Sequence, residues 1–179
     1  MDGDVVRRCD GCTMCCKLLS IRELNKPEGV WCEHCSVGVG CQIYEQRPGE
    51  CSKFHCGFLQ LGILSEDWRP SKCKIVLAPG LDNKRLTVNV DPDRPDAWKA
   101  EPYYSQLKKW AVETVPESKQ VVVYIGPRAI VILPDKDVDL GDVAEDELII
   151  TTGRRGPGGI EFDAIKLRPD DPGAAHLKG

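Results

Sequence analysis

Ten cysteines, every one between Cys9 and Cys73, limit what this chain can fold into more than any other feature; residues 74–179 contain none. Disulfides, buried free thiols and metal ligands are the three ways to account for such a concentration. The opening stretch MDGDVVRRCDGC has no apolar core of a secretory signal, so the expected compartment is the reducing cytoplasm, where structural disulfides do not persist. Buried thiols pack as small hydrophobes, but that does not place cysteines three apart. The spacing points to ligation. Cys9-Asp10-Gly11-Cys12-Thr13-Met14-Cys15-Cys16 is a C-x-x-C-x-x-C-C run, and Cys32-Glu33-His34-Cys35 adds a C-x-x-C, followed by Cys41, Cys51 and Cys56. A C-x-x-C segment can turn both thiolates onto one cation, the usual half of a tetrahedral zinc site. In an extended stretch the neighbours Cys15 and Cys16 would point to opposite sides, which sends them to different metals or makes one of them a bridge. Partners for the first group then come from Cys32–Cys56, folded back over the N-terminal loop.

The sequence resembles a known family. The first run, then Cys32, then Cys41-Gln-Ile-Tyr44-Glu-x-Arg47-Pro48-x-x-Cys51-x-x-Phe54-x-Cys56, looks like the CxxCxxCC cysteine-cluster family of bacterial, YkgJ-like proteins, described as zinc- or iron-chelating domains. The likeness covers roughly residues 7–60. It implies Cys9, Cys12, Cys15, Cys16, Cys32, Cys41, Cys51 and Cys56 as ligands, enough for two four-thiolate sites. This chain departs from the pattern by adding Cys35, Cys73, His34 and His55. All ten cysteines with both histidines would fill three sites. Cys35 completes a knuckle and joins the ligand set. His34 reads rather as a polar residue outside the ligand set, while His55 is either a ligand or a partly exposed polar residue. Cys73, in an Arg69-Pro70-x-x-Cys73 echo of Arg47-Pro48-x-x-Cys51, is either a repeated ligand loop or a coincidence.

Zinc is the favoured ion, with iron or an iron–sulfur cluster as the alternative. C-x-x-C-x-x-C begins like a ferredoxin run, but such a run continues x-x-x-C, and here Cys16 follows at once. A redox dithiol at Cys32–Cys35 lacks the thioredoxin-like strand–helix context. Tyr44 and Phe54 are expected to shield the sulfurs, and Arg47 to donate to a thiolate or a carbonyl.

The expected fold class is α+β: a loop-rich cysteine metal-binding lobe over 1–72, an α+β unit over 73–168 and a flexible tail over 169–179. Leu18, Leu19, Ile21 and Leu24 suggest a short apolar strand or turn. In the second unit, strands are expected at 73–78, 85–90, 120–125, 129–133, 148–152 and 160–167, mainly antiparallel, with a helix at 97–115 that has Pro102 in its first turn. The first strand is the expected contact with the lobe. Gly153–Gly159 reads as a Gly-rich hairpin loop, with phosphate binding by Arg154 and Arg155 the weaker reading. Asp135–Glu147 reads as a solvated acidic loop, and His176 stands alone in the tail. No nucleotide-binding loop, nucleophile elbow or catalytic triad is discernible.

Composition narrows the partners. Lys+Arg is 24 against Asp+Glu 28, a net charge of −4, and residues 1–73 hold nine basic against ten acidic side chains. Nucleic acid is therefore an unlikely partner. No apolar run reaches the roughly 18–20 residues of a membrane span. Metal ions, and a protein partner on the surface they support, remain the expected ligands. Metal trafficking, with one readily exchanging site, is a further expectation.

Overall fold

The computed structural model describes residues 7–9, 11–80 and 84–172. Its core is a five-stranded sheet in the order β3-β4-β5-β6-β7 (Ile75–Pro79, Arg85–Val90, Gln120–Ile125, Arg128–Ile132 and Asp137–Asp142). All pairings are antiparallel except β4 with β5. A parallel pair needs a crossover, and helix α5 (Tyr103–Thr114) supplies it. Its Leu107, Trp110 and Ala111 are buried, the face that the helical spacing indicates. Two further strands, β8 (Leu148–Gly156) and β9 (Gly159–Leu167), form a separate hairpin that adds Ile149 and Ala164 to the core. The architecture is α+β, as expected.

The apolar run of the first strand has a specific cause. Ile75 and Leu77 belong to the main core, while Val76, between them, packs on Met14 and Leu18 with Trp31 and Phe54 beside them. A strand covered on both faces reads as continuous apolar sequence. The cysteine-rich half thus docks on β3. Gly57 is the closest approach: a Cβ there would stand 2.7 Å from Leu77 Cβ and 3.2 Å from its carbonyl oxygen. Gly57→Ala is expected to destabilise the fold by about 1–3 kcal/mol through this overpacking, read as a lowered midpoint in urea. An unchanged midpoint would mean that the two halves are not in firm contact here.

Four expectations are corrected. Asp137–Asp142 is a strand, not a solvated loop: Val138 and Leu140 alternate with acids, and the charges fall on the outermost strand, where they discourage further pairing. Seven strands therefore follow Cys73 rather than six. Gly153–Gly156 lies within β8, paired through to Gly156 with Gly159, so only Pro157 and Gly158 form the turn and there is no phosphate-cradling loop. The helix begins at Tyr103, with Pro102 at its N-cap. A separate single turn occupies Ala97–Lys99. Cys73 ends a short helix, α4 (Pro70–Cys73), rather than starting β3. Pro169–Pro172 carries no strand or α-helix, and His176 lies outside the described residues. Among the described residues, no helix is long and apolar enough to cross a membrane.

Candidate metal centre

The cysteine-rich half is built from very short pieces: α1 (Met14–Leu18), β1 (Cys35–Ser36), β2 (Gly40–Cys41), α2 (Gly49–Lys53) and α3 (Gly57–Gln60). The Cys9–Cys12 and Cys32–Cys35 segments close as turns, the Cys12 amide donating to Cys9 O and the Cys35 amide to Cys32 O. Gly11, at φ +72°, lets the first knuckle sit against Gly38 O, which any Cβ would meet at 2.7 Å. The Gly38 amide in turn donates to Thr13 Oγ1 at 3.2 Å. Cys32 is tied to the first run by its amide bond to Cys16 O, 3.0 Å. Cys35 and Cys41 stand opposite each other across β1 and β2. Both R-P-x-x-C segments form a short helix beginning beside the proline, α2 and α4.

These constraints sort the thiols into two groups. Cys9, Cys12, Cys15 and Cys56 line one cavity of about 20 Å³, walled by Arg8, Phe58, Leu59, Arg69, Pro70 and Val76. That volume suits a single small species. Of the remaining thiols, Cys51 lies within electrostatic reach of Cys16, Cys32 and Cys41. Cys35 lies beside Cys16, and Cys16 beside Cys15. Cys15 and Cys16 occupy neighbouring positions on helix α1 rather than an extended stretch, and Cys15 remains the main influence on Cys16.

All ten cysteines are free thiols; no disulfide joins any of them. Among the described residues, no three Cys, His, Asp or Glu side chains meet at the spacing of ligands around one ion. The donor set is one of thiols, suited to zinc or iron rather than to a hard cation. The Cys15 hydrogen bond and then burial push the Cys16 thiol far up, and burial followed by Cys16 raises Cys35 to about 11. Burial also raises Cys51 and Cys56. An incoming cation must therefore displace protons, so its affinity rises with pH.

Cys73 has a different character. It is buried, its Sγ donates to Trp68 O (3.5 Å) and Ile75 O (3.4 Å), and burial pushes it to about 12. Its contacts are those of a packed thiol, although Cys12 and Cys56 lie within electrostatic reach. In native protein treated with chelator at neutral pH, Cys73 should be the last cysteine alkylated by iodoacetamide, because the thiolate is the reactive form. Early labelling at Cys73, mapped by peptide mass, would contradict this placement.

The histidines stand apart. His34 Nε2 lies 3.5 Å from Glu33, and His55 is exposed. Phe54 packs beside Met14 and Leu18, whereas Tyr44 is 59% exposed with the Arg47 guanidinium 3.9 Å over its ring. Arg47 is thus held chiefly by the Tyr44 ring, with Cys41 also within its electrostatic reach.

Three cations that the sequence did not single out organise the lobe. Arg7 donates to the carbonyls of Phe58, Leu61, Gly62 and Leu64 and stacks over Phe58, pinning the arm that carries Cys9. Lys17, directly after Cys16, bonds Asp91 and Asp93 at 2.6 Å each. Buried Lys26 spans the loop behind the second thiol group. The sequence signal for Arg7 and Lys17 is position beside the first cysteine run; Lys26, lying between Cys16 and Cys32, has none.

Comparison of the chain with protein-family models, with curated proteins and with solved structures finds no match in any of the three.

Proposed function

We propose that this chain is a metal-binding protein in which the two thiol groups, as thiolates, hold zinc chiefly as a structural ion, and that the lobe so fixed presents a surface to a protein partner. The observation that carries the reading is the convergence of separate segments: Cys9, Cys12, Cys15 and Cys56 around one cavity, with Cys35 beside Cys16 and Cys51 within electrostatic reach of Cys16, Cys32 and Cys41. The resemblance of residues 7–60 to the CxxCxxCC cysteine-cluster family supports it. So does the brevity of the elements, which leaves ligation as the natural source of order in the lobe. Sites closed by four thiolates have no open position for Lewis-acid chemistry, which favours a structural over a catalytic ion. The reading sets the protein in the reducing cytoplasm, where all ten cysteines remain thiols.

The test is native mass spectrometry with metal and sulfide analysis of protein purified without air. Two zinc ions per chain and no acid-labile sulfide are expected. Stoichiometric iron with sulfide would replace zinc by the iron–sulfur alternative, and metal-free protein would overturn the reading.

A further inference from the structure

Cys35 and Cys41 face each other across β1 and β2, and the bonds on either side fix the kind of pair they form. The Gln42 amide donates to His34 O at 2.8 Å, so the ladder bond belongs to the neighbouring pair. The Cys35 amide is turned away from the partner strand, to Cys32 O at 3.0 Å. Bonded and non-bonded pairs alternate along an antiparallel ladder, so Cys35 and Cys41 are a non-hydrogen-bonded pair. In such pairs the Cα atoms stand about 4.5 Å apart and the two side chains share one face. That separation lies inside the span of roughly 4.4–6.8 Å that a disulfide bridges.

The register is held at the tip of this hairpin. The Val39 amide closes onto Ser36 O at 2.9 Å, and the Gly38 amide is fixed to Thr13 Oγ1. The tip faces solvent, with Val37 59% and Val39 76% exposed, and Cys35 and Cys41 are half-buried rather than sealed. Among the described residues, no other two cysteines are partners across a strand pair.

We propose that Cys35 and Cys41 are a redox-sensitive modification site, joined by a peroxide-class oxidant in a reversible cross-strand disulfide. One thiol reduces hydrogen peroxide and becomes a sulfenic acid, releasing a water. The partner sulfur then attacks that sulfur, its proton leaves with the hydroxyl as a second water, and the S–S bond forms. Two thiol hydrogens and two electrons in all pass to the peroxide, and a dithiol reductant reverses the bond by exchange. Transient bonds of this kind are the ones a reducing compartment permits. Burial and then Cys16 hold the Cys35 thiol up at about 11, so proximity rather than an activated thiolate drives closure. The bond itself does not depend on the metal-binding reading above. Its consequence does: a closed bond takes two sulfurs from the ligand set, so closure and ligation by this pair exclude each other.

Full-length protein, purified without air, is treated with stoichiometric hydrogen peroxide. The remaining thiols are blocked with N-ethylmaleimide, and the unreduced chain is cut after glutamate. Cuts after Glu33 and Glu45 free residues 34–45, whose only cysteines are Cys35 and Cys41. Closure therefore appears as that peptide unlabelled and lighter by two hydrogens. It is expected to be the first disulfide formed, and dithiothreitol should return both thiols to full labelling. A first bond that ties residues 34–45 to another peptide, through Cys16 or Cys32 above all, overturns the proposal. So does a peptide that stays fully labelled, or one carried to sulfinic acid without a disulfide. Zinc release in step with the closed peptide is expected, and closure with all zinc retained overturns the consequence for the ligand set. Protein that carries no metal before peroxide overturns the metal reading alone, since the peptide still reports the bond.

Discussion

If the lobe holds structural zinc as proposed, stripping the metal with a chelator at neutral pH is expected to release the amide hydrogens of residues 11–56 to exchange, while those of β5 and β6 stay protected. The physical basis is length. In this stretch helices α1 and α2 have five residues each, and β1 and β2 have two each. Isolated helices shorter than about 12–15 residues are marginal in water, and a two-residue ladder cannot stand alone. Apolar burial in the lobe is slight: Met14 and Leu18 share a small cluster with Val76. A structural zinc contributes on the order of 10 kcal/mol to folding, far more than this cluster can offer. By contrast, Val121–Val123 and Val131–Leu133 are fully buried in the main core, with no cysteine among them. The diagnostic amides are Cys32, which donates to Cys16 O, and Cys35, which donates to Cys32 O. If both keep full protection without metal, packing alone holds the lobe and the structural role fails.

Lys17→Met should be the most damaging substitution outside the thiols. The Lys17 and Asp91 side chains are 8% and 7% exposed, so removing the lysine leaves a carboxylate in the interior with no cation. Breaking a buried pair from one side costs about 3–5 kcal/mol. The Asp93 side chain is 81% exposed and contributes much less, as exposed pairs do. Restoring neutrality with Asp91→Asn in the Lys17→Met background should recover part of the loss, because Asn retains an acceptor for the Asp93 amide, 3.1 Å away. The pH dependence follows from the lysine. Burial disfavours its charge, but the hydrogen bonds it donates to Asp91 and then to Asp93 outweigh this and raise it above its ordinary 10.5. A group raised on folding stabilises fully below its unfolded value and loses that contribution as pH climbs through the folded one. The gap between wild type and Lys17→Met in urea should therefore be constant through neutral pH and shrink only above about 10.5. A difference under about 1 kcal/mol would place this pair among those that tie nothing together.

How much of this could be read from the residues depends on the range of the interaction that decides each feature. Alternation over Leu86–Val90 and the apolar run at Val121–Ile125 are local patterns, and β4 and β5 form there. The helix face of Leu107, Trp110 and Ala111 is equally local. The strand at Asp137–Asp142 was hidden because its acids outweigh Val138 and Leu140 in composition, though not in periodicity. The extension of β8 through Arg154 and Arg155 was hidden because glycine reads as a loop when it stands opposite a strand partner. In the candidate site, spacing identified the knuckles, which close as turns. Which cysteines share the cavity did not follow from spacing, since Cys56 reaches Cys9, Cys12 and Cys15 only through the fold. Nor did the roles of Arg7, Lys17 and Lys26, whose partners include Leu64, Asp91 and three loop carbonyls. Tyr44 belongs to a motif and yet lies on the surface, so its place in the pattern says nothing of shielding here.

The central claim is that two separate thiol groups each hold one ion. It is tested most directly by counting ions in two triple variants purified without air. Serine at Cys9, Cys12 and Cys56 should leave one zinc per chain, and serine at Cys16, Cys32 and Cys51 should also leave one, against two in the wild type. If either variant loses both ions, or neither loses any, the partition into two sites is wrong.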